Sequence, residues 1–148
     1  MKNFSVVLIG VLVLIVGAVW WSKSLQSKDL DVVVARNGLH SHPVLEIYAK
    51  GERQSIPQNI GIGGQYSSLP MGMSPIHTHD DAVDGIIHLE FSGIVRESDI
   101  TLGEFLKTWG KDVNSFGSNV KMTVNEVENL ELDKYIMGDG DRIELRYE

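Results

Sequence analysis

The sequence predicts an α+β chain in three parts: an N-terminal transmembrane helix over 1–22, a linker over 23–38, and one domain over 39–148. In that domain one mixed sheet is expected to carry a single amphipathic helix. Three observations predict this. Phe4 to Trp21 is an uncharged apolar run. Alternating apolar and polar residues recur from Val44 to the C-terminus, the period of half-buried strands. One segment, from Thr101 to Gly110, instead has the 3.6-residue period of a helix.

The run FSVVLIGVLVLIVGAVWW has 18 residues, and at about 1.5 Å per residue a helix of that length reaches roughly 27 Å, near the thickness of a bilayer's hydrocarbon core. Trp20 and Trp21 close it, where amphipathic rings favour the membrane interface. A cleaved signal peptide is the alternative, with Lys2 as its basic start. Against that, the apolar stretch is long and Ser22-Lys23-Ser24 is a poor cleavage site. The expectation is an uncleaved, single-pass anchor in the cell membrane, with the lipid bilayer as partner of residues 4–21. Lys23, Lys28 and Arg36 after the run do not favour an external domain. Long domains translocate largely regardless of flanking charge, however, so the domain is expected outside the cytoplasm.

The chain of 148 residues has 13 Lys plus Arg, 20 Asp plus Glu, five His and no Cys, for a net charge of −7. Lys2 is the one charge ahead of Lys23, so residues 23–148 carry −8. That balance opposes nucleic-acid binding, which needs a basic face. Without Cys there are no disulfides, thiolate metal sites or thiolate catalysis.

Within the domain, Leu45, Ile47 and Ala49 alternate with Glu46, Tyr48 and Lys50, and Lys50-Gly51-Glu52 predicts a hairpin turn. Residues 58–75 carry four Gly and two Pro and predict an irregular loop. Ile87, Leu89 and Phe91 then face one way, His88 and Glu90 the other. Thr101 and Glu104 form a capping-box pattern, Leu102, Phe105, Leu106 and Trp109 make an apolar stripe, and Gly110 ends the helix. Val120, Met122 and Val124 predict a further strand, and Ile143, Leu145 and Tyr147 another, after the Gly138-Asp139-Gly140-Asp141 turn.

The histidines carry the chemistry. His40-Ser41-His42 and His77-Thr78-His79…His88 hold all five. In an extended backbone, residues i and i+2 leave on one face, so each His-x-His offers two imidazoles to one ion. His88 and Glu90 share a face by the same rule. Asp80, Asp81 and Asp84 add carboxylates that could be ligands or could orient the rings. Met71-Gly72-Met73 lies just upstream, and its thioethers tilt the expected metal to copper, with zinc next. The alternative for the methionines is core gap-filling, and for the histidines a hydrogen-bonded network without metal.

The stretch TLGEFLKTWG…VKMTVNEVENLELDKYIMGDGDRIELRYE resembles the second half of β-grasp (ubiquitin-like) sulfur-carrier proteins, which implies a β-grasp-like domain. The chain ends Arg146-Tyr147-Glu148 in place of their Gly-Gly tail, so sulfur carriage is not implied. LHSHPVLEIYAKGERQSIPQNIGI, MSPIHTHDDAVDGIIHLEF and TLGEFLKTWGK resemble an uncharacterised family of single-span, membrane-anchored archaeal and bacterial proteins. That resemblance implies one His site, at His40, His42, His77, His79, Asp80, His88 and Glu90, but no reaction.

Three functions fit this sequence. The first is a membrane-anchored metal-binding module, holding copper or zinc as a carrier or as an accessory subunit of a larger membrane metalloenzyme complex. The second is an open-site metalloenzyme with three His on the ion and Glu90 as base. The third is an interaction subunit of a membrane assembly without metal. No HExxH helix or serine triad supports a reaction, and Gly61-Ile62-Gly63-Gly64 lacks the Lys of a phosphate loop.

Overall fold

Val44–Ala49 and Glu52–Gln54 form the hairpin that the alternation predicts. Their turn residues, Lys50 at φ 53° and Gly51 at φ 82°, are both left-handed, as a two-residue hairpin of matching twist requires. The computed structural model describes residues 13–18 and 31–148. The chain divides into two units, Met1–Asp31 and Val32–Glu148. In the first, residues 13–18 are helical (α1) with exposed side chains.

The strands of the second unit are β1 Val33–Ala35, β2 Leu39–Ser41, β3 Val44–Ala49, β4 Glu52–Gln54, β5 Ile76–His77, β6 His88–Phe91, β7 Val95–Arg96, β8 Lys121–Val124, β9 Val127–Asn129 and β10 Arg142–Tyr147. They build three sheets, ordered β1-β7, β4-β3-β10-β8-β9 and β2-β6-β5. The closing strand β10 sits centrally, parallel to β3 (Ile143 opposite Leu45) and antiparallel to β8 (Leu145 opposite Met122). One face of that sheet buries Leu45, Ile47, Met122, Ile143, Leu145 and Tyr147.

Helix α2, Leu102–Thr108, completes this core with Leu102, Phe105 and Leu106, and Trp109 packs against its rim. The Thr101 hydroxyl accepts the Glu104 N–H, and Gly110 at φ 74° ends the helix as Lys111 N–H reaches the Leu106 carbonyl. The reciprocal half of the predicted capping box is replaced. The Glu104 carboxylate pairs with Lys107 at 3.1 Å.

Two expectations are corrected. The single mixed sheet of a β-grasp-like domain is not what forms, because the His-bearing strands make a sheet of their own. Pro43, without an N–H, interrupts the chain between β2 and β3, so the two strands enter different ladders. The single-pass membrane placement is the second. Among the described residues no helix is long and apolar enough to cross a membrane, so neither that span nor an extracytoplasmic location built on it is supported. Apart from 13–18, the expected span at 4–21 lies outside the described residues. Val33–Ala35, within the stretch expected to be linker, pairs with β7 instead.

Candidate metal centre

The three-stranded sheet arrays the histidines by register. In its centre, β6 sets His88 opposite His77 of β5 and Glu90 opposite His40 of β2. Side chains alternate across a strand, so His40, His77, His88 and Glu90 share one face. Ser41, Ile76 and Leu89 turn to the other face and are buried. His42 and His79 follow two residues after His40 and His77, and both rejoin the cluster.

The result is a row of rings. Centroids of His40 and His42 are 4.7 Å apart, His42 and His88 4.8 Å, His88 and His79 4.8 Å, and His79 and His77 4.8 Å. Among the described residues two groups of three could each hold a metal ion: His40, His42 and His88, and His77, His79 and His88. In each, one nitrogen per ring lies within 4.8 Å of the others. Both pairs present Nε2 to Nε2 at 3.2 Å. Two imidazole ligands on a tetrahedral ion with bonds of 2.0–2.1 Å stand about 3.3 Å apart, so both pairs are already spaced for ligation.

Local hydrogen bonds fix which nitrogens are available. His77 Nδ1 lies 2.9 Å from the Ser74 carbonyl, which can only accept, so Nδ1 carries the proton and Nε2 keeps its lone pair. Burial pushes the His77 pKa below its ordinary 6.5, against the Ser74 hydrogen bond and with help from neighbouring His79. The ring is fully buried, and neutral imidazole is the ligand form. His88 Nε2 donates to Asp81 at 2.9 and 3.2 Å, which leaves Nδ1 as the lone-pair nitrogen. That Nδ1 is buried and has no hydrogen-bond partner among the described residues.

The supports of these rings come from distant turns. Gly61, at φ 72°, runs so close behind β5 that a Cβ there would stand 2.5 Å from the Ile76 carbonyl oxygen and 3.1 Å from His77 Cβ. Buried Thr78 ties the loop to the motif, donating to the Pro57 carbonyl and accepting from Ile60 N–H. A 3₁₀ turn over Asp80–Asp84, closed by Gly85 at φ 89°, swings Asp81 onto His88. Asp139 accepts the His42 backbone N–H at 2.8 Å, so the Gly-Asp-Gly-Asp turn holds the second ring of the exposed pair.

Of the predicted site residues, His40, His42, His77, His79 and His88 are brought together, and Glu90 borders them, 3.3 Å from His40 Nε2 and 3.7 Å from His88 Nδ1. Asp80 is exposed at the start of its turn. Of the three aspartates, Asp81 is the one that hydrogen-bonds a ring, and no strand-period rule selects it because the 3₁₀ turn rotates successive side chains by about a third of a turn. Asp139 and Gly61 also act on the rings from distant positions, and Ser74 from three residues before His77, which their glycine-rich and turn contexts alone do not reveal. Met71 and Met73 line a small cavity beside Glu90. No family model, curated protein or solved structure matches the chain.

Proposed function

We propose that the domain is a metal-binding module, taking copper in preference to zinc, and that it acts as a metal carrier or as an accessory subunit of a metalloenzyme. The observation that carries the reading is the set of lone pairs left over after the protein's own hydrogen bonds. His77 is locked as an Nε2 ligand facing His79 Nε2 at 3.2 Å, and beside them the buried His88 Nδ1 has no partner among the described residues. The carboxylate behind His88 matches the carboxylate–histidine–metal arrangement that orients ligands and raises their basicity. An all-imidazole set without thiolate suits copper and zinc alike. Copper stands higher in affinity for such donors, and the Met71 and Met73 thioethers near Glu90 favour its reduced form.

Metal content decides the matter. After dialysis against copper and, separately, zinc, the full chain should retain one ion per molecule, and a His77→Ala/His79→Ala variant should retain at least about tenfold less bound metal at limiting free ion. Equal, low metal in both proteins would remove the metal reading. An open-site enzyme is a second reading, supported by Glu90 at the border of a three-histidine set. Metal-dependent hydrolysis of activated esters, lost in Glu90→Gln, would favour it over a carrier.

A further inference from the structure

Two triads share one ring, and that ring has one nitrogen to give. His88 Nε2–H is committed to Asp81, so His88 can serve a single ion through Nδ1. The two triads therefore cannot both be filled through His88 while Asp81 holds it. They also differ in access. The outer pair opens to solvent, with 65% of the His40 side chain exposed, whereas His77 of the inner pair is 0% exposed. Between them lies Glu90, within 3.7 Å of both His40 Nε2 and His88 Nδ1, an oxygen donor at the crossing point.

We infer that the five histidines form a two-position path for one metal ion. His40 and His42 capture it with His88, Glu90 steadies it in passage, and His77 and His79 hold it with the same His88. This rests on the metal-binding reading and adds to it an order of events. The outer pair sets how fast the ion arrives and leaves, and the inner pair sets how tightly it is kept. Because each transfer replaces two imidazoles by two others around a retained His88, the ion need not be released to water, and no net charge or oxidation state changes.

The path is tested with Cu²⁺ on the full chain, by copper-to-protein stoichiometry and by stopped-flow loading and chelator-driven release, with circular dichroism to check folding. Wild type should bind one ion. His40→Ala/His42→Ala, which removes largely solvent-facing rings, should still bind one ion with nearly unchanged affinity but load about tenfold more slowly, since changes of access act on rate. His77→Ala/His79→Ala should load at the wild-type rate and lose its ion to chelator about tenfold faster, as expected when tight ligands are removed. Glu90→Gln, close in shape, should slow loading while leaving the final affinity intact, and it answers the question even where a double variant fails to fold. Two ions on wild type, or unchanged loading in the outer-pair variant or, where that variant does not fold, in Glu90→Gln, would overturn the path while leaving a metal site. No ion on wild type would overturn the metal reading beneath it.

Discussion

Asp81 has no place in the strand-period pattern of the histidines, yet it decides which nitrogen of His88 is free, and its removal is the sharpest perturbation available. In Asp81→Ala, His88 Nε2–H loses an acceptor at 2.9 Å on a side chain that is 12% exposed with Asp81 in place. An unpaired, mostly buried donor costs about 1 kcal/mol, or roughly 4 °C in unfolding temperature for a domain of this size. The larger effect falls on the metal. Losing the carboxylate behind a histidine ligand costs about 10–100-fold in affinity, which is about 1.4–2.7 kcal/mol. The assay is a Cu²⁺ competition titration against a coloured chelator, run on Asp81→Ala, Asp81→Asn and Asp80→Ala. Asp81→Asn keeps an acceptor oxygen but not the charge, so it should fall between wild type and Asp81→Ala. Asp80→Ala, an exposed position, should match wild type. Imidazole nitrogen shifts in the metal-free protein should report a single Nε2–H tautomer of His88 in wild type and a mixture in Asp81→Ala. Equal affinity in Asp81→Ala and Asp80→Ala, with an unchanged tautomer, would refute the reasoning.

Gly61→Ala should destabilise the chain by about 2–4 kcal/mol, from a left-handed φ together with a backbone clash behind His77. Gly140→Ala, also at φ 72° but with open space around it, should cost only about 1–2 kcal/mol in denaturant unfolding. A pH series gives another outcome. His77 titrates below 6.5 when folded, so the unfolded chain binds the proton more readily, and the stability from keeping the ring neutral is complete above 6.5. That stability should be lost as pH falls from 6.5 towards the folded value. In metal-free protein, unfolding temperature should drop over this window in wild type and more gently in His77→Gln; parallel curves would contradict the assignment.

What could be read from the sequence was local. The i, i+2 spacing of each His pair, the shared face of His88 and Glu90, the helix stripe from Leu102 to Trp109 and the Lys50-Gly51 turn all follow from backbone period and turn chemistry within a few residues. What could not be read depends on pairings across the chain. That His88 would stand between both pairs requires β6 to be the middle strand of a separate sheet, a choice made by long-range ladders. Asp139 reaches His42 across 97 positions. Asp80, Asp81 and Asp84 are all candidates in the sequence, and it is a 3₁₀ turn, outside any strand period, that carries Asp81 to His88. The β-grasp expectation failed because the shared helix and closing strand say nothing about where β2, β5 and β6 pair.

The two His pairs do not by themselves require an ion. In the inner pair, His79 Nε2–H could donate to the lone pair of His77 Nε2 at 3.2 Å, and the outer pair could close in the same way. A purely structural network would then satisfy four of the five rings and explain their spacing. The fifth ring separates the two accounts. His88 spends its proton on Asp81, so its Nδ1 can only accept, and the nearest charged group, Glu90 at 3.7 Å, is itself an acceptor when ionised. A buried lone pair facing a carboxylate is unfavourable unless a positive centre lies between them. A proton on Nδ1 is the competing positive centre, with Asp81 at 2.9 Å and Glu90 at 3.7 Å as its counter-charges. A metal ion supplies the positive charge and uses the free lone pairs of the flanking rings as ligands. The case for metal therefore rests on His88, and a variant that mends only this ring separates the two accounts. His88→Asn keeps a group that can donate to Asp81 but removes the lone-pair nitrogen. A structural network should survive it with unfolding temperature within a few degrees of wild type, whereas a metal centre should lose both triads at once.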